Sequence, residues 1–116
     1  MQSSNNLAPT HFNKGENITM AMYVSLVQFT DQGIRNIKDT VNRSEAAMAE
    51  AEKMGMKIVQ PLWTMGAYDV VVLLEAPNDE TMSAFTLKIG SMGSVKTHTM
   101  RAFTKDEMEK ILAKIK

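Results

Sequence analysis

The side chains of this 116-residue chain able to do chemistry fall in two short groups. Trp63, Tyr68 and Asp69 form the first; His98, Thr99 and Arg101 form the second. Tyr68 and Asp69 follow a Gly-containing turn. There they can serve as a pocket acid or hydrogen-bond donor, or as a structural pair in which Asp69 bonds nearby backbone and Tyr68 packs. His98 is either a satisfied, partly buried imidazole or a catalyst. No second histidine lies near it, so a metal site would need carboxylates from elsewhere, and none is expected. Arg101 shares strand parity with Thr97 and Thr99. A guanidinium in an apolar interface requires a carboxylate or a ligand anion, and Asp69 is the candidate partner, in a structural bridge or a ligand site. Trp63 either walls a pocket or packs at a strand edge. The expected ligand-binding set is Arg101, Asp69, Tyr68, Trp63, Thr99 and His98, with no catalytic assignment.

Composition removes several classes of chemistry. The chain has no cysteine, which excludes disulfides, thiolate catalysis and Cys-based metal centres, and fits a reducing cytoplasm. No cofactor is expected. Thirteen basic residues balance thirteen acidic ones, which argues against capture of nucleic acid or an anionic membrane surface. The longest apolar run, Val70 to Leu74, is far short of the ~20 residues that span a bilayer. Residues 1–19 are rich in Ser, Asn and Gln and have no apolar period or signal-peptide pattern, so a disordered leader or tag is expected there. Residues 20–116 are expected to form one domain, with Met20 as a natural start.

The elements that must position these groups follow from two alternating periods. Met22 to Phe29 reads as a strand. Gln32 to Met54 has helical spacing, capped by Thr30 or Asp31, and is too long for one helix in so small a domain. A short opening helix, a step near Thr40 to Asn42 and a main helix ended by Gly55 are expected. Met56 to Met65 and Tyr68 to Glu75 read as strands joined by a two-residue turn at Gly66-Ala67 of type II′. Pro61 places the first of them at a sheet edge or on a bulge. Asn78 caps a second helix whose stripe is Met82, Phe85 and Ile89. Val95 to Phe103 is the fourth strand, and Thr104 with Glu107 forms a capping box before a closing helix. The methionines are expected to fill core gaps.

The order β-α-β-β-α-β-α predicts an α+β fold: a four-stranded antiparallel sheet with helices on one face. The first and third strands are apolar at both parities, so the second face also needs a cover, and another copy of the sheet is the simplest one. Homo-oligomerisation is therefore expected. In the fourth strand, Met100 and Ala102 suit the helix-packed face, which would put Thr97, Thr99 and Arg101 on the other.

Gly66-Ala67-Tyr68-Asp69 fits a G-x-Y-D pattern. Thr30-Asp31-Gln32-Gly33-Ile34, Glu75-Ala76-Pro77-Asn78-Asp79, Gly93-Ser94-Val95-Lys96-Thr97 and Arg101-Ala102-Phe103 stand in order around it. In this ordered set the chain resembles the GYD-domain family of small bacterial and archaeal proteins, from Met20 to about Glu109. The resemblance implies a ferredoxin-like fold of the dimeric α+β-barrel kind and no established activity. Where family members often carry Ser-Pro in the first helical segment, this chain has Thr40-Val41. Three functions remain open: a homo-oligomeric module binding a small, partly apolar anionic molecule; a cofactor-independent oxygenase or isomerase on the same barrel; and an assembly protein without a ligand. RNA binding is disfavoured, because Tyr68 to Val72 lacks paired stacking aromatics.

Overall fold

The structure, a computed structural model, describes residues 19–116. The expected leader therefore lies, apart from Thr19, outside the described residues. Strand β1 is Ala21–Phe29, β2 Lys57–Trp63, β3 Val70–Ala76 and β4 Val95–Ala102. Helix α1 is Asp31–Arg35, α2 Thr40–Lys53, α3 Asp79–Ser91 and α4 Lys105–Leu112. A 3-10 turn, Ile37–Asp39, joins α1 to α2 and is the expected step, a few residues early. The sheet is wholly antiparallel, in the order β2-β3-β1-β4, as in ferredoxin-like βαββαβ folds.

Local chemistry explains the boundaries. The Thr30 side chain accepts from the Gly33 N–H and starts α1. Asn78 does the same for α3 through the Thr81 N–H, with Asp79 and Glu80 in the first turn where the helix dipole favours acids. The Thr104 and Glu107 capping box is complete. Gly55 sits at φ 75° after α2, where only glycine is unstrained. Pro61 lies on edge strand β2, whose register slips between Ile58 and Gln60.

The core lies between the sheet and helices α2 and α3. Tyr23, Leu74 and Ala76 from the strands meet Ala51 of α2, Met56, and Met82 and Phe85 of α3. Leu74 is 2% exposed. Full burial of such a side chain contributes roughly 1.5–3 kcal/mol. Ile34, Ile37 and Val41, at the start of the expected helical segment, do not join this core. All three side chains are exposed.

Two expectations are corrected. The β2–β3 connection is a six-residue loop, 64–69, closed by the Thr64 N–H on the Asp69 carbonyl at 2.9 Å, and not a two-residue turn. Gly66 still has positive φ, 117°. The second correction concerns β4. Its register pairs Arg101, Thr99 and Thr97 with Tyr23, Ser25 and Val27, the three buried residues of β1. Residues paired across a ladder share a face. Thr97, Thr99 and Arg101 therefore lie on the helix side, and Lys96, His98, Met100 and Ala102 on the open side. The reason is hydrogen bonding: Ser25, 4% exposed, needs a partner, and Thr99 Oγ1 stands 3.0 Å from its Oγ. The open face is left more apolar than expected. Met100 and Leu62 are about half exposed, at 49% and 52%.

Candidate functional site

Helix α2 packs towards β2 and α3 towards β4, so the two helices diverge over the middle of the sheet. Between them lies a chamber of about 500 Å³. Its floor includes Val27, Val70 and Val72; Ala47 comes from α2, and Phe85 and Ile89 from α3. The Lys88 ammonium of α3 meets Glu50 Oε2 of α2 at 2.8 Å and ties the helices together beside it. That hydrogen bond holds the Glu50 carboxyl below its usual range. At the other end, Arg43 donates to the carbonyls of Asn36 at 2.7 Å and Gly33 at 3.3 Å. Its guanidinium lies 6.0 Å from the Phe29 ring centre. Trp63 lines the chamber and donates from Nε1 to Thr40 Oγ1 at 3.1 Å, so it both walls a cavity and anchors the start of α2.

A second, polar recess of about 460 Å³ adjoins the chamber along α3 and β4. Met82, Thr86 and Thr97 line both spaces. Tyr23, Asp79, Ser83, Thr99 and Arg101 complete its walls. Tyr23 donates its phenolic hydrogen to Asp79 Oδ1. Burial, then that bond to a carboxylate, pushes the phenol up to about 12. Arg101 stacks 4.6 Å from the Phe103 ring centre and donates through Nη1 to the carbonyls of Met22, at 3.3 Å, and Ala102. Among the described residues it has no carboxylate within 4.0 Å.

The expected site residues thus separate. Thr99 and Arg101 come together in the recess, and Trp63 stands at the far end of the adjoining chamber. Asp69 is not Arg101's partner. Its Oδ2 accepts from the Phe29 N–H at 2.8 Å, and its own N–H donates to the Val27 carbonyl at 2.8 Å. Asp69 pins the loop to the end of β1. Tyr68 packs edge-on to His98, with ring centres 5.8 Å apart. His98 Nε2 lies 3.0 Å from Gln28 Oε1, on the open face. Arg101 stands on an edge strand, and its side chain remains exposed. Sequence reasoning missed the Tyr23–Asp79 pair and Arg43. The signal for the pair was present, since Tyr23 lies near the start of β1 on its buried parity and Asp79 opens α3.

Among the described residues no group of acids and histidines is arranged to hold a metal ion, and no helix is long and apolar enough to cross a membrane. Fold and site together define a small α+β, ferredoxin-like domain with an open cleft between its sheet and its two long helices. The chain belongs to the GYD-domain family, matching it over residues 23–112. It is 31% identical over 84 residues to the glutamine synthetase and cystathionine beta-lyase binding protein of Thermus thermophilus, an alignment covering 72% of this chain and 88% of that protein.

Proposed function

We propose that this GYD-domain protein is a homo-oligomeric module that binds a small, partly apolar molecule carrying an anionic group. The observation behind the reading is one apolar chamber of about 500 Å³ joined to a recess that holds an exposed arginine. The volume is in the range of small-molecule sites, and an apolar lining with few polar groups is their usual character. The open sheet face supports the oligomer. Val24, Leu26, Val71, Leu73 and Met100 share it, and a soluble monomer rarely leaves so continuous an apolar surface uncovered.

Native mass spectrometry tests both parts at once. The expected result is an oligomer carrying a non-covalent adduct, with the adduct lost in Ser44→Phe, which fills the chamber from α2. A bare monomer at micromolar concentration, identical in parent and variant, would overturn the reading.

A second reading draws on the relative's name. A protein-docking role towards glutamine synthetase or cystathionine beta-lyase is supported by the exposed Ile34, Ile37 and Val41 at the α1–α2 corner. Ile37→Lys would then abolish co-migration with those enzymes and leave the adduct in place.

A further inference from the structure

The recess beside the chamber holds two opposite charges that do not satisfy each other. Asp79 opens α3 and Arg101 is the penultimate residue of β4, and both line the same space of about 460 Å³. They form no ion pair within 4.0 Å. Asp79 accepts one hydrogen bond, at Oδ1, from Tyr23. Arg101 uses Nη1 on two carbonyls, and neither carbonyl neutralises its charge. Ser83, Thr86, Thr97 and Thr99 line the same recess. A ligand with only a carboxylate would gain Arg101 but face the Asp79 carboxylate, a like charge lining the same recess. A ligand with only an ammonium would meet the reverse conflict. One that carries both groups pairs with each wall and leaves no uncompensated charge.

From this arrangement we infer that the recess receives the zwitterionic head of a free α-amino acid, its carboxylate on Arg101 and its ammonium on Asp79, and that the chamber takes an apolar side chain. The link is the wall shared by the two spaces: Met82, Thr86 and Thr97 border both, so a head in one and a side chain in the other are a single molecule's length apart. Arg101 suits the carboxylate because its planar fork can donate two parallel bonds, and its stacking on Phe103 fixes the plane of that fork. Asp79 is held in place by Tyr23, so it does not rotate to accept elsewhere. The inference rests on the ligand-binding reading above and adds the ligand's second charge and its class.

Isothermal titration of the full chain with L-leucine, L-methionine and L-phenylalanine tests it. Each is compared with its des-amino acid and its decarboxylated amine. At least one amino acid is expected to bind at least tenfold more tightly than both of its analogues. Arg101→Met and Asp79→Asn are each expected to weaken that binding at least tenfold. Asp79→Asn also alters the Tyr23 contact; should it fail to fold, Arg101→Met, at an exposed side chain, decides. Equal binding of a des-amino acid and its parent amino acid would overturn the inference and leave the anionic-ligand reading standing. An unchanged affinity in Arg101→Met would overturn the inference and, with it, the arginine-anchored anionic reading. Failure of all three amino acids to bind the protein once its native adduct has been released would overturn the inference alone; absence of any adduct and of any binding would remove both.

Discussion

Gly33 is the position where one added methyl group tests the packing of the whole helix layer. It is buried in α1, and a Cβ built on it would stand 2.1 Å from the Ser94 carbonyl oxygen and 3.3 Å from Phe29 Cβ. Non-bonded contacts settle near 3.5 Å, so the backbone must retreat by more than about 1 Å. That carbonyl also accepts from the Thr30 N–H at 3.1 Å, and Thr30 Oγ1 donates to the Gly93 carbonyl next door. Losing both bonds costs about 0.5–1.5 kcal/mol each. Local overpacking adds about 1–3 kcal/mol. The better helix propensity of alanine returns at most about 1 kcal/mol. The expected net loss for Gly33→Ala is about 3 kcal/mol, or roughly 10 °C or more in melting midpoint for a domain of this size. Urea denaturation at one fixed protein concentration reads it, with Gly90→Ala as the control. Gly90 lies in α3, and a Cβ there meets nothing within 4 Å, so that change should be neutral or stabilise by up to about 1 kcal/mol. Equal midpoints for Gly33→Ala and parent would refute the close approach of α1 to the strand that follows Ser94.

Gly66→Val should destabilise by more than about 1 kcal/mol although a side chain there meets nothing within 4 Å, because the cost is the positive φ of 117° alone; an unchanged thermal midpoint would remove the turn assignment. Tyr23 gives a pH dependence. Its phenol is raised to about 12, so the folded state holds a proton that the unfolded state releases near 10. The associated stability is complete below pH 10 and declines as pH rises towards 12. Phenolate absorbance should show one late tyrosine that is missing from Tyr23→Phe, and a single phase below pH 11 would contradict the buried Tyr23–Asp79 bond.

Much of the fold was legible because its signals are local. The Thr30, Asn78 and Thr104 caps each require only a side-chain oxygen within three residues of a backbone N–H, and all three stand where the residue types put them. Pro61 announced its edge because a missing donor cannot sit inside a ladder. The loop at 64–69 was misjudged because glycine's freedom reveals a turn but not its length. Asp69 sets that length: its carboxylate is taken by the Phe29 N–H of β1, a partner 40 residues away in the chain.

The site was legible in its residues and not in its faces. Reading β4 by hydropathy put Met100 and Ala102 inward, since apolar residues inside is the default rule. The rule misled here because both faces of the sheet are apolar, so hydropathy does not rank them. What ranks them is polar satisfaction. Ser25 is buried in β1 and needs a hydroxyl opposite, and only the parity of Thr97, Thr99 and Arg101 supplies one. With that choice made, Arg101 moves to the helix side, beside the chamber and in the same recess as Asp79. The open face keeps His98 and Met100 beside Leu26 and Val24 of β1. One buried serine thus separates the two surfaces of this sheet, leaving Arg101 on the helix side and Val24, Leu26 and Met100 on the open side.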